Sequence, residues 1–226
     1  MLLAIDTSTH VSSIALYDER GVVVETTWQS HENHTRSLMP EVVRLMQVVG
    51  TNANDLRAIG VATGPGSFTG LRIGLSAAKG LAYSLSIALL GVPTLDISAS
   101  AGIAGTPLTC AILQAGRGRF GAALYKNENG NARRAGDYFF GSPTQLVLQL
   151  REQLGHNSVF VIGEMDDALR DLFRAEFSAQ LQLGTDALNV RRAGFLAALA
   201  WRRWCQGEQD DLQSLAPYYI PTASIA

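Results

Sequence analysis

Lysine is nearly missing from this chain. Lys79 and Lys126 are the only two in 226 residues, and arginine carries almost all the positive charge. With a formal net charge of −2 and a pI near 6.1, there is no chain-wide cationic field of the kind that holds nucleic acid. Cysteine is equally scarce. Cys110 and Cys205 fit neither a metal-ligand spacing nor a disulfide framework, which leaves two reduced thiols. No apolar run approaches the ~20 residues that span a bilayer. Met1-Leu2-Leu3-Ala4-Ile5 has no basic lead, and Asp6 interrupts it at once, so a soluble, cytoplasmic protein without membrane contact is expected. A hydrophobic share of 47% against 17% charged excludes disorder, and the length suits one large domain or two small ones.

What the chain does have is glycine in one dense stretch, Gly64-Pro65-Gly66-Ser67-Phe68-Thr69-Gly70, with Leu71-Arg72-Ile73-Gly74 behind it. Leu56 to Thr63 reads as a short buried strand before it, and Leu71 to Leu85 as a helix after it. A strand, a glycine turn and a helix start present free N–H groups at the positive end of a helix dipole, which suits a phosphate or carboxylate. The same residues suit a bare turn, because glycine takes φ > 0 and proline fixes its own φ. Leu2 to Ile5, Val11 to Tyr17 and Val22 to Trp28 read as an antiparallel meander. Its first turn, Asp6-Thr7-Ser8-Thr9, places hydroxyls and amides where they could meet a phosphate or a metal-bound water, or could close a hairpin as an Asx/ST turn.

His31-Glu32-Asn33-His34 has its histidines three apart, against the four of a zincin helix, and predicts a structural or capping role with no bound metal. The helix that follows, Leu38 to Val49, carries two apolar stripes side by side: Leu38, Val42, Leu45 and Val49, then Met39, Val43 and Met46. That arc is wider than one sheet face needs. Between Leu71 and Leu85, Gly74, Ala77, Ala78 and Leu81 form a small-residue surface, with Leu75, Ala82 and Leu85 on another side. Two such helices are either buried on both sides within one domain, or reserve a face for another subunit in a four-helix bundle.

After a strand at Ile87 to Gly91 and a helix from Thr94 to about Ala104, the Gly102–Pro107 stretch marks a domain boundary. Strands at Leu108–Leu113, Phe120–Tyr125 and Arg133–Phe140 follow, then a helix at Pro143–Leu154, a strand at Val159–Gly163 and a helix at Met165–Arg174. A short strand at Leu181–Leu183 and a long helix at Val190–Gln206 complete the chain. The order βββαβα occurs twice, which predicts a duplicated α/β unit with a cleft between its halves. The expected lobes are residues 1–104, joined by a tail of about 208–226 packing back, and residues 105–207. Arg191-Arg192 and Arg202-Arg203 are too few for a phosphate track and read as a solvated helix face.

Two βββαβα lobes with an Asp-rich first turn resemble the two-lobed actin-like ATPase (ribonuclease H-like) fold, each lobe a mixed sheet with helices. Ile5-Asp6-Thr7-Ser8-Thr9, His34 with Leu38-Met39-Pro40, the run from Gly64 to Gly74, and Ala78-Lys79-Gly80-Leu81-Ala82 narrow the resemblance to the TsaB (YeaZ) family. That likeness is dense over the first hundred residues, and the ending Ala216-Pro217-Tyr218-Tyr219-Ile220 resembles the family's Pro-x-Tyr-Leu tail. One run departs. Where the family often has Asp-Ala-Arg-Arg-Gly-Glu, this chain has Gln114-Ala115-Gly116-Arg117-Gly118-Arg119, so Gln114 and Arg119 replace two carboxylates.

The resemblance implies a non-catalytic subunit, without cofactor, of the bacterial complex that makes N6-threonylcarbamoyladenosine at position 37 of tRNAs reading codons that start with A. Its implied partners are the catalytic subunit TsaD and the ATPase TsaE, with a homodimer when alone and little tRNA binding by itself. The catalytic relative carries a His-x-x-x-His metal site, which His31 and His34 do not reproduce. Gly70 is followed by Leu71 and Arg72, so the stretch also lacks the Gly-Lys-Ser/Thr end of a P-loop. The implied partner interface comprises Leu38, Val42, Leu45, Met46, Val49, Leu71, Gly74, Leu75, Ala78 and Leu81. Asp6, Thr7, Ser8, Gly64, Gly66, Ser67, Thr69 and Gly70 are the candidates for a vestigial phosphate loop. The competing readings are a nucleotide-binding enzyme of the actin-like class, with Asp6 positioning Mg²⁺ or water, and more distantly a metalloprotease.

Overall fold

The computed structural model describes residues 1–30, 34–102, 107–116 and 118–220, with His34 and Thr35 described by their backbone alone. His31, Glu32, Asn33, Ile103 to Thr106 (the middle of the sequence boundary), Arg117 and the last six residues lie outside them. The described residues form two units, one of residues 1–97 with 192–219 and the other of 98–191 with Ile220.

In the first unit, β1 (Leu2–Asp6), β2 (Val11–Asp18) and β3 (Gly21–Gln29) form the meander. Helix α1 (His34–Val48) leads to β4 (Ala58–Gly64), and α2 (Phe68–Leu85) to β5 (Ala88–Pro93). The sheet order is β3-β2-β1-β4-β5. β2 runs antiparallel to β1, while β4 runs parallel to it with Leu2 opposite Ala58. Alternation along β1 divides its side chains between two cores. Leu3 and Ile5 join Ile14, Leu16 and the inner sides of α1 and α2, while Leu2 and Ala4 join α7 (Ala193–Cys205) on the opposite face. Each fully buried leucine or isoleucine contributes about 1.5–3 kcal/mol of transfer free energy.

The long C-terminal helix therefore belongs to the first unit, which corrects the division at residue 207. Its stripe of Ala193, Leu196, Ala197 and Ala200 is apolar and small, and β4 offers Gly60, where an added Cβ would lie 2.8 Å from Ala200 Cβ and from Leu196 Cδ2. Residues 208–219 continue along the same unit as a strap. Asp210 donates its N–H to Leu89 O (2.8 Å) and accepts from Gly91 N (2.6 Å), which engages the open edge of β5. Leu212 and Leu215 pack against the core, and Tyr218 N donates to Thr63 O at 2.7 Å.

α3 (Thr94–Gly102) carries the chain into the second unit, where β6 (Leu108–Gln114), β7 (Phe120–Glu128) and β8 (Asn131–Arg134) repeat the meander. β9 (Phe139–Gly141), α4 (Pro143–Leu154), β10 (Val159–Gly163), α5 (Asp167–Phe177), β11 (Leu181–Leu183) and α6 (Asp186–Asn189) follow. Read from its other edge, the order β8-β7-β6-β10-β11 repeats that of the first sheet, so the duplication is one of topology. The single strand expected over 133–140 is two. β8 pairs with residues 125–128 of β7 and β9 with residues 120–122; between them lies Gly136 at φ 130°.

Cys110 is fully buried in β6, which pushes its thiol up to about 12, whereas Cys205 is exposed at the end of α7. Alkylation of the native protein at pH 8 is expected to modify Cys205 alone, with Cys110 reacting only after denaturation. Peptide mass mapping checks this, and native labelling of Cys110 would contradict its burial.

Candidate functional site

The structure brings the Asp6–Thr9 turn and the glycine stretch into direct contact. Asp6, Thr7 and Ser8 are all buried. Ser8 donates to Asp6 Oδ1 from both its N–H (2.9 Å) and its hydroxyl (2.5 Å), which is an Asx turn. Ser67 N donates to Ser8 O at 2.6 Å, and Thr7 Oγ1 donates to Gly70 O at 2.7 Å. Ser67 caps α2 by accepting from Gly70 N at 3.2 Å, so Phe68, Thr69 and Gly70 are already helical and the loop proper is residues 64–67.

The glycines explain the closeness. An added Cβ at Gly66 would lie 2.2 Å from Ser8 O, at Gly70 2.0 Å from Thr7 O, and at Gly74 2.3 Å from Thr7 Oγ1. On the Cα side of these glycines the turn itself fills the space that they open. Gly64, at φ 106°, does the same for the strap: its Cβ would meet Tyr218 O at 2.4 Å. Thr69 is exposed on the first turn of α2.

The second group of expected residues lies elsewhere than the sequence placed it. Leu38, Val42, Leu45, Met46, Leu71, Leu75 and Ala78 are buried in the unit's own interior, as is Gly74; Val49 and Leu81 are half-buried against the same core. These side chains form the inner surface of α1 and α2, because the stripe nearest the sheet is taken by Leu3, Ile5, Ile14 and Leu16. They are not a free face. The outward side holds the other stripe, with Met39 38% and Val43 50% exposed. Between the helices runs a groove of about 580 Å³ lined by Leu38, Met39, Arg72, Ile73, Ser76 and Ala77. Beside the groove's Arg72, Phe68, 56% exposed, meets the Tyr219 ring with centroids 4.9 Å apart, and the Arg72 guanidinium lies 4.6 Å from the Phe68 centroid. An open apolar groove flanked by exposed aromatics is the surface most monomers avoid.

In the second unit, Glu164 accepts from Gln114 N (3.3 Å) and from the buried Arg191 (3.4 Å), so the replaced carboxylate position at Gln114 engages its neighbour through backbone. Arg119 N closes the turn on Gly116 O at 3.1 Å. Among the described residues no three His, Cys, Asp or Glu side chains gather as metal ligands, and no helix is long and apolar enough to cross a membrane.

Two mixed sheets of matching topology, with the first hairpin turned into a helix-flanked glycine loop, define an α/β protein of the actin-like fold. The family model described as TsaD, tRNA N6-adenosine threonylcarbamoyltransferase, matches residues 8–223. The tRNA threonylcarbamoyladenosine biosynthesis protein TsaB of Bacillus subtilis is 40% identical over 98% of this chain and 94% of its own length. The TsaB of Escherichia coli is 39% identical over 42% of this chain and 40% of its own. The solved structure of YeaZ from Pseudomonas aeruginosa superposes with a TM-score of 0.79 at 25% identity, covering 97% of this chain and 99% of that one. The chain belongs to the TsaB (YeaZ) family.

Proposed function

We propose that this chain is the non-catalytic partner of TsaD in the complex that, with the ATPase TsaE, places threonylcarbamoyl on N6 of adenosine 37 in tRNAs reading codons that begin with A. The observation that carries this reading is the open apolar groove between α1 and α2, in a chain whose relatives are named for this pathway. Helices of a partner pack into such a groove by ridges and grooves, giving a four-helix arrangement. The closed contact between the Asp6 turn and Gly66, Gly70 and Gly74 supports a role in assembly over phosphate chemistry at that loop. A surface suited to a related subunit also suits a second copy, so a homodimer through the same face is expected when TsaD is absent. With a net charge of −2, the chain alone holds tRNA weakly, and it works in the cytoplasm.

The test is sizing and titration of this chain against TsaD from its own organism, with Met39→Glu beside wild type. Met39 is the proper probe because its side chain reaches solvent, whereas a charge at Val42 would break the core. A stable wild-type complex is expected, weakened roughly 30-fold or more by the substitution with an unchanged circular dichroism spectrum. Equal binding by both proteins, or none by the well-folded wild type, would refute the reading.

A further inference from the structure

Arg72 stands apart from the other residues of the groove. Among the described residues the remaining walls are Leu38, Met39, Ile73 and Ala77, with Ser76 the one other polar group. Arg72 is exposed, and among the described residues it makes no ion pair. Its guanidinium nevertheless lies over the Phe68 ring, which in turn leans on Tyr219. Tyr219 is held by the strap: the preceding residue donates to Thr63 O and lays its carbonyl on Gly64. The strap at residues 208–219 thus holds a guanidinium at the rim of the groove.

We propose that Arg72 is a pre-oriented receptor for a carboxylate, and that the occupant of the groove is an amphipathic helix of the partner chain bearing an Asp or Glu at that point. This rests on the reading of the groove as the TsaD interface. A guanidinium stacked on one face keeps its N–H edge for a bidentate acceptor. Any helix that covers the apolar walls also removes water from Arg72, and a covered cation without an acceptor is heavily penalised. The occupant must therefore bring the acceptor with it. A helix fits the remaining geometry, because Ser76, Ala77 and the exposed Gly80, with open space around its Cα, let another backbone approach closely. An RNA phosphate fits less well, since among the described residues no second cation lines the groove.

The experiment titrates TsaD into wild type, Arg72→Ala, Arg72→Lys, Arg72→Glu, Tyr219→Ala and Met39→Glu at low and moderate salt. Arg72→Ala is expected to weaken the complex about 30-fold and to flatten its salt dependence. Arg72→Lys should recover only part of the loss, since an ammonium lacks the planar fork. Arg72→Glu should bind least, and an acidic-to-arginine change on the facing TsaD helix should restore it. Tyr219→Ala should lie between wild type and Arg72→Ala, without a change of melting temperature. Binding by Arg72→Ala within about twofold of wild type, with Met39→Glu still defective, would overturn the carboxylate pairing and leave the interface standing. If Met39→Glu also binds normally, the interface itself is refuted. Normal TsaD binding by Arg72→Ala with weaker tRNA retention by the assembled complex would overturn the proposal in favour of a phosphate contact.

Discussion

Replacing Gly70 by alanine is expected to cost the folded protein at least about 4 kcal/mol, while the same change at Gly80, ten residues along the same helix, adds about 0.5–1 kcal/mol. The two glycines differ in what surrounds them. At Gly70 the new Cβ would lie 2.0 Å from the carbonyl oxygen of Thr7, whereas at Gly80 nothing lies within 4 Å. The oxygen cannot retreat easily. Thr7 is buried, its hydroxyl is committed to Gly70 O, and the neighbouring Ser8 is bound to Asp6 and Ser67. Nor is the cost one of backbone conformation, because Gly70 already sits in the first turn of α2 with φ outside the left-handed region. At Gly80 only helix propensity changes, and alanine is the better helix former. Thermal unfolding separates the cases: at roughly 2–4 °C per kcal/mol for a chain of this size, Gly70→Ala should melt roughly 10 °C or more below wild type or fail to fold, and Gly80→Ala a few degrees above it. A well-folded Gly70→Ala protein with an unchanged melting temperature would show that the turn and helix are not pressed together.

The second large effect is expected at Glu25, whose side chain is only 9% exposed on β3. Helix α7 begins after Arg192, which provides no side-chain cap. Its first amides are satisfied from the sheet instead: Ala193 N donates to Ser13 Oγ (2.9 Å) and Gly194 N to Glu25 Oε1 (3.0 Å). The second oxygen of Glu25 accepts from Arg192 Nη2 at 2.6 Å and Nε at 3.1 Å. A carboxylate here meets the positive end of the helix dipole and a guanidinium together. Glu25→Ala leaves a buried amide without an acceptor and is expected to cost about 2–4 kcal/mol, discounted because Arg192 itself reaches solvent. Glu25→Gln keeps an acceptor and should lose about half as much. Urea denaturation measures both, and a midpoint unchanged in Glu25→Ala would remove the glutamate from the account of how α7 docks.

Much of this architecture is legible in the residues. Pro143–Leu154 is helical at the bounds the sequence suggests, because Ser142 and Gln145 form a capping box and Gly155 ends the helix. The alternation along β1 and β2 and the repeated βββαβα order carry the fold. Two things were hidden for definite reasons. Both stripes of α1 are apolar, so periodicity gives the width of the arc but not which side the sheet takes; tertiary packing puts Val42 and Leu45 inside and leaves Met39 and Val43 outside. Glycine likewise admits a phosphate or the chain's own backbone with equal ease. Gly70 and Gly74, four residues apart on one face of α2, were the available sign that the chain's own Asp6–Thr9 turn lies against that face. Contacts such as Phe68 with Tyr219 join residues far apart in sequence, and no local pattern announces them.

The return of α7 and its strap to the first sheet has a consequence for synthesis. One face of that sheet, with Leu2, Ala4, Ala15, Ala58, Leu90 and Val92, is covered by the helix at Ala193–Cys205. A ribosome making roughly 5–20 residues per second completes β5 and then needs roughly 100 further residues, about 5–20 s, before the covering helix exists. During that interval the nascent chain carries a bare apolar sheet face and an uncovered β5 edge, the two surfaces most prone to wrong association. The second unit emerges in the same interval with both ends of its own sheet contiguous in sequence, so it can mature first. The half of the molecule that is translated first is therefore the half that finishes folding last.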